Sequence, residues 1–204
     1  AIIDKTRPTT NKNVIVAGVY KLLKIDKLEN TPISSEISNK ISNFIKKTNT
    51  NSVIFSDFRH GIFNKASITQ LTNSIKENTF KVADSQVASR WGNILDYKNF
   101  DLLTPNEREA RFSLGDQDCN IGILAEKLKY KTGYKNIILK LGERGVLCVG
   151  SKDKNLAYNI DSFSTSIVDS VGAGDALLAY STLVLLKTNS LLYAGIIGSI
   201  AASC

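Results

Sequence analysis

Asp169–Ser170–Val171–Gly172–Ala173–Gly174–Asp175 leads without a break into ALLAYSTLVLL, residues 176–186. Small side chains in such a loop let a ligand come close to the backbone. The first N–H groups of the apolar helix that follows have no partner inside it. Together with the helix dipole they make a place for an anion. Asp175 sits in the first turn, where it can face the same spot. A carboxylate beside a simple phosphate site is out of place. It makes sense if it takes a proton from a hydroxyl attacking phosphorus, while the N–H groups stabilise charge on the transferring phosphoryl group. The plainer reading is an acidic first-turn residue that stabilises the helix by about 0.3–1 kcal/mol. The motif alone does not choose between the two.

Outward from this loop, short β-like runs alternate with helical repeats. Val14–Ala17 and Leu22–Ile25 read as short strands. A helix over SSEISNKISNFIKK places Ile37, Ile41, Phe44 and Ile45 on one face, with Ser34 or Ser35 as its N-cap. Ser52–Phe55 reads as a buried strand, and Asn64 opens a helix carrying Ile68, Leu71 and Ile75. Phe80–Ala83 is a strand, Ala88–Leu95 a helix, and Asp101–Thr104 a strand ending at Pro105. Helices follow at Glu107–Phe112 and Ile121–Lys131. Asn136–Leu141 and Val146–Val149 are strands joined by GERG, with Leu156–Ile160 as an antiparallel edge. Helices over Ala173–Leu186 and Leu191–Ser203 close the chain. This alternation predicts an α/β fold with a mostly parallel sheet covered on both faces. No internal repeat, low-complexity tract or linker interrupts it.

Ligands of such sheets bind at the carboxyl ends of strands, and two more motifs fall there. After the strand DLLT, Asn106 and Glu109 open a helix and share one of its faces. An amide and a carboxylate so placed suit a hydrated Mg²⁺ ion, which takes one or two carboxylates plus water and phosphate oxygens. They equally suit an N-cap with an acidic first turn. Lys140–Leu141–Gly142–Glu143–Arg144–Gly145 joins two strands through two glycines and offers a contact to nucleotide phosphates.

Composition narrows the classes. Apolar residues make up 43% and charged residues 22%, ordinary for a globular protein, and the net charge is +7. The lysines are scattered over polar helix faces without interleaved aromatics, which argues against a nucleic-acid partner. No apolar run approaches the ~20 residues of a membrane helix, and the N-terminus has no signal-like apolar segment. The three cysteines, Cys119, Cys148 and Cys204, are widely spaced. That argues against a disulfide framework or a metal cluster and for reduced thiols in the cytoplasm. Cys148 reads as a core residue. The sequence starts at Ala1 and has no Met, as expected of a piece of a longer protein.

The motifs, in this order, resemble those of the ribokinase-like (PfkB) carbohydrate kinases. DSVGAGD is similar to that family's D-[TS]-x-G-A-G-D signature. PNERE contains its N-x-x-E, KLGERG resembles its T-x-G strand and turn, and AGIIGSIAASC resembles its adenine-side helix. RPTT (Arg7–Thr10) and SDFRHG (Ser56–Gly61) look most like the heptose 7-phosphate kinase branch of ADP-heptose synthesis. The resemblance implies a three-layer αβα sandwich, N-terminally incomplete. Residues 1–26 would be lid-adjacent strands and residues 27–204 the phosphoryl-transfer core of a single kinase domain. It implies ATP and Mg²⁺ as cofactors, a sugar or sugar phosphate as substrate, and a homodimer through lid strands. Asp175 would be the base, with Gly172, Ala173 and Gly174 as the anion hole. Asn106 and Glu109 would position Mg²⁺. Lys140, Gly142, Gly145 and Ser199 would line the nucleotide, and Asp57 would face the sugar or its phosphate.

Lys140 stands where the family usually has Thr, so a cation replaces a hydroxyl toward ATP, and His60 replaces a common Lys, with a pocket-rim place expected. The family's N-terminal third, with its sugar-binding motif, has no counterpart here. A catalytically impaired nucleotide- or sugar-binding module of the same fold is therefore the competing reading. Intact Asp175, Asn106 and Glu109 favour the kinase.

Overall fold

The computed structural model describes residues 1–18, 20–86, 94–150, 157–164 and 171–204. Packing divides the chain into two compact units, residues 1–48 with 59–75 and residues 49–58 with 76–204. The hairpin shares its unit with two helices.

In the first unit, β1 (Asn11–Ala17) and β2 (Tyr20–Lys27) form an antiparallel hairpin, longer than the two short strands expected. Ser34 caps α1 (Ser35–Lys47), accepting from the Ile37 N–H at 3.3 Å. Asn64 and Ser67 form a capping box at the start of α2 (Lys65–Thr72). The buried stripe of α1 is Ile37, Ser38 and Ser42, while Phe44 is 60% exposed. The expected apolar face is therefore rotated. Polar contacts to the second helix turn it: Ser38 donates to Gln70 at 2.8 Å, and Ser42 pairs with Ser74 beyond the end of α2. The RPTT and SDFRHG motifs meet here. Arg7 donates to the His60 carbonyl at 3.0 Å and to the Thr31 carbonyl, and Thr10 Oγ1 lies 3.4 Å from His60 Nδ1. His60 is half-buried.

The second unit is built on a six-stranded sheet, ordered β3 (Ser52–Asp57), β4 (Phe80–Ser85), β5 (Leu102–Leu103), β6 (Asn136–Lys140), β7 (Val146–Gly150) and β8 (Ala157–Ile160). β3 to β6 are parallel, and β7 and β8 add antiparallel. The pleat sends alternate residues to opposite faces. Val82, Leu102, Ile138, Cys148 and Ile160 pack with Leu177, Leu178, Leu185 and Ala194 of α5 (Ala173–Thr188) and α6 (Leu191–Ser203). Their strand neighbours Ala83, Leu103, Ile137 and Leu139 are equally buried. Toward β6 and β7 packs α4 (Ile121–Thr132), through inward Leu124, Ala125 and Leu128. α3 (Glu107–Leu114) precedes it. The expected α/β fold, with a mostly parallel sheet between helices, is present.

Residues 88–93 of the expected helix at 88–95 lie outside the described residues, and Ile94–Asp96 forms a 3-10 turn. Residue 156 of the last expected strand also lies outside them. No helix among the described residues is long and apolar enough to cross a membrane.

Two predictions follow from the packing. Gly145 has φ +80°, and a Cβ there would lie 2.0 Å from the Ile160 carbonyl oxygen. Gly145→Ala should lower the unfolding free energy by about 2 kcal/mol or more, read as a drop in melting temperature. Cys148 is fully buried, and burial pushes its thiol up to about 12, whereas Cys204 is exposed. In the folded protein at pH 8 a thiol reagent should label Cys204, and Cys148 only after denaturant is added, because the thiolate is the reactive form.

Candidate active site

The carboxyl ends of β4, β5 and β6 bring three polar side chains to one place. Asp84, the penultimate residue of β4, is only 6% exposed. Its Oδ1 accepts from the Thr104 hydroxyl at 2.9 Å and from Lys140 Nζ at 3.2 Å. Burying an unpaired carboxylate is costly, and these two donors offset that cost. The Lys140 N–H donates to the Pro105 carbonyl at 2.8 Å, and Asn106 bridges to Lys140 in parallel. The PNERE segment is thereby fixed against the end of β6.

Asn106 and Glu109 form a capping box at the start of α3. Asn106 Oδ1 accepts from the Glu109 N–H at 2.8 Å, and Glu109 Oε2 accepts from the Asn106 N–H at 2.7 Å. Of the two readings of this pair in the sequence, the structure forms the cap, and the cap stands at the strand ends. Glu107 receives Arg111 at 2.8 Å and also Arg144. Burial acts to raise its pKa, but the hydrogen bonds from the two guanidinium groups outweigh that and hold the carboxyl below its ordinary range. The Arg144 contact ties the turn after β6 to α3. Between them opens a cleft of about 520 Å³, walled by Asn106, Arg108, Lys140, Leu141 and Gly142 among others.

Gly172 begins α5 with φ 87°, a left-handed conformation that glycine adopts freely, and no side chain caps the helix. A Cβ at Gly172 would meet nothing within 4 Å. Among the described residues no side chain satisfies the first-turn N–H groups, the arrangement that favours an anion. Asp175 is exposed in that turn and does not point into the core. A methyl placed on Gly174 would stand 3.4 Å from Lys140 Nζ. Lys140 is thus the common neighbour: its backbone lies beside Asn106 and its ammonium beside Gly174. Residues 169 and 170 of the DSVGAGD loop lie outside the described residues.

The other expected site residues divide. Gly142, at φ 64°, has open space where a side chain would be, as a backbone contact to a ligand requires. Gly145 is instead filled by the backbone of residues 160–162, so close chain packing accounts for the glycine there. Ser199, on α6, is 7% exposed and its hydroxyl finds no partner among the described residues. Gly198 packs on the Leu177 carbonyl and Ser181, which sets this part of α6 beside the early turns of α5. Asp57 is 3% exposed and accepts from the Ser85 hydroxyl at 3.3 Å and the Tyr97 hydroxyl at 3.2 Å. It ties β3 to β4 through the bond from Ser85.

Asp84 and Thr104 were not singled out in the sequence. The available signal was that FKVADS, like SVIFSD, carries an acid at the carboxyl end of an apolar strand, Asp84 one residue before its last and Asp57 as its last.

Comparison with known proteins gives these features a family. Residues 34–204 match the pfkB family carbohydrate kinase family. The bifunctional protein HldE of Helicobacter pylori is 27% identical over 195 residues, covering 93% of this chain and 41% of the relative. HldE of Helicobacter hepaticus is 27% identical over 191 residues, 90% and 38% respectively. The chain thus spans about two fifths of the length of the curated relatives it matches. Among solved structures, phosphofructokinase-2 from Escherichia coli in complex with potassium superposes with a TM-score of 0.74 at 18% identity, over 89% of this chain and 59% of that one. Arabidopsis thaliana ribokinase complexed with ribose and ATP gives 0.71 at 18% identity, over 97% and 62%. These structures share the ribokinase-like fold, and, with the family match extending over most of its length, the chain belongs to the PfkB family of carbohydrate kinases.

Proposed function

We propose that this chain carries the phosphoryl-transfer part of an ATP-dependent carbohydrate kinase, moving the γ-phosphate of ATP to a hydroxyl of a sugar or sugar phosphate. The observation that carries this reading is the uncapped start of α5, with Asp175 exposed in its first turn and the Lys140 ammonium beside Gly174. Asp175 takes the proton of the acceptor hydroxyl as its oxygen forms a bond to the γ-phosphorus. The bond from that phosphorus to the β,γ-bridging oxygen breaks, and ADP leaves. The N–H groups of the Gly172–Ala173–Gly174 turn hold the negative charge of the phosphoryl group in transit. The cleft walled by Asn106, Lys140 and Gly142 suits the rest of the phosphate chain.

The residues fit Mg²⁺ in one particular way. Asn106 and Glu109 each give a polar atom to the other's backbone. Among the described residues no three His, Cys, Asp or Glu side chains gather into a cage. This donor set fits a hydrated ion held mainly by ATP phosphates, with Glu109 and Asn106 reaching it through water. When bound, the ion would neutralise charge on the phosphates.

Heptose 7-phosphate is the acceptor to test first. The likeness to the HldE proteins supports it, as does the meeting of Arg7 and Thr10 with His60. In the full-length protein, Asp175→Asn should cut turnover by about 10²–10⁴-fold while ATP affinity stays within about threefold, or ~0.7 kcal/mol. Coupled ADP-release assays and titration calorimetry read the two quantities. Turnover surviving in the variant would remove Asp175 as the base, and ATP binding without turnover in the wild type would favour the impaired-module reading.

A further inference from the structure

Lys140 is held in a way that its family position does not explain. Its side chain is 19% exposed and faces a carboxylate that is 8% exposed. Removing two charges from water costs about as much as their attraction returns, so such a pair is weak evidence for stability. A lysine also has a long, flexible stem, and here its end is fixed. Thr104 donates to the same Asp84 oxygen that receives the ammonium, and Thr104 itself is fully buried. The carboxylate is thus anchored from β5 while it faces β6.

The direction of the ammonium matters. An ammonium has three N–H donors, and Asp84 engages Lys140 on one side. On another side lies the first turn of α5 at Gly174. Any anion resting on that turn would come within reach of the remaining donors.

We propose that Lys140 contacts the phosphate chain of the nucleotide at the transfer end, beside the α5 turn, and that Asp84, anchored by Thr104, is the positioning residue that aims it there. This rests on the kinase reading above. Lys140 then acts as a built-in counter-ion on the phosphate, where a hydroxyl at this position could offer only a neutral hydrogen bond.

The test measures equilibrium binding of ATP and of adenosine, by calorimetry, to the wild type, Lys140→Thr, Asp84→Asn and the double variant. Thermal melts confirm that each is folded. Lys140→Thr should weaken ATP about tenfold, as loss of a charge-assisted contact does, and leave adenosine unchanged. Asp84→Asn should alter ATP affinity by about threefold or more in the wild-type background and have little effect in the Lys140→Thr background, the non-additivity of residues acting as a unit. Lys140→Arg, which keeps the charge, should recover part of the ATP affinity. Equal effects on ATP and adenosine, or additive effects of the two substitutions, would overturn the proposal while leaving the kinase reading in place. A wild type that binds adenosine as tightly as ATP would overturn both.

Discussion

Among the described residues no side chain caps the N–H groups at the start of α5, and the site proposed for the second unit depends on that lack. Helix starts usually satisfy these donors with a side chain, as Ser34, Asn64, Asn106, Asn120 and Ser190 do elsewhere in the chain. At Gly172 none is supplied. The exception falls beside Lys140, at the carboxyl end of β6. In the proposed function, ligand phosphate is the group that pairs with these donors.

The helix can be left open because it is anchored further along. Leu177, Leu178 and Leu185 bury its inner face on the sheet. Gly198 lets α6 approach so closely that a Cβ there would meet Ser181 Oγ at 2.0 Å, and Ser181 donates to the Ala194 carbonyl at 2.9 Å. Gly195 packs in the same way on Cys148 and Ile160. The two helices and the β7–β8 edge thus form one packed body, and the first turn of α5 projects from it. In a close-packed interior small displacements are resisted, so the position of Asp175 is inherited from contacts well away from it.

Much of this was legible in the sequence. Apolar periodicity gave α5 and α6 nearly to the residue, and small residues at 172–174 announced an open helix start. Asn106 and Glu109 were visible because a capping box is local, three residues apart. What local pattern could not give was anything depending on strand order. Asp57 and Asp84 each stand at the carboxyl end of an apolar strand, but which one lies beside Lys140 follows only from β4, β5 and β6 lying side by side. Gly145 looked like a ligand contact because its reason for being glycine, the Ile160 carbonyl, is distant in the chain. Phe44 fitted a helical stripe, and serine-to-polar contacts decided the rotation of α1 instead.

The most direct measurement is a structure of the protein with a non-hydrolysable ATP analogue. The account predicts the terminal phosphate at about 3 Å from the N–H groups of residues 173 and 174, with Lys140 Nζ on one of its oxygens and the carboxylate of Asp175 facing the open side of the phosphorus. A phosphate chain bound elsewhere, with the start of α5 facing only water, would contradict it.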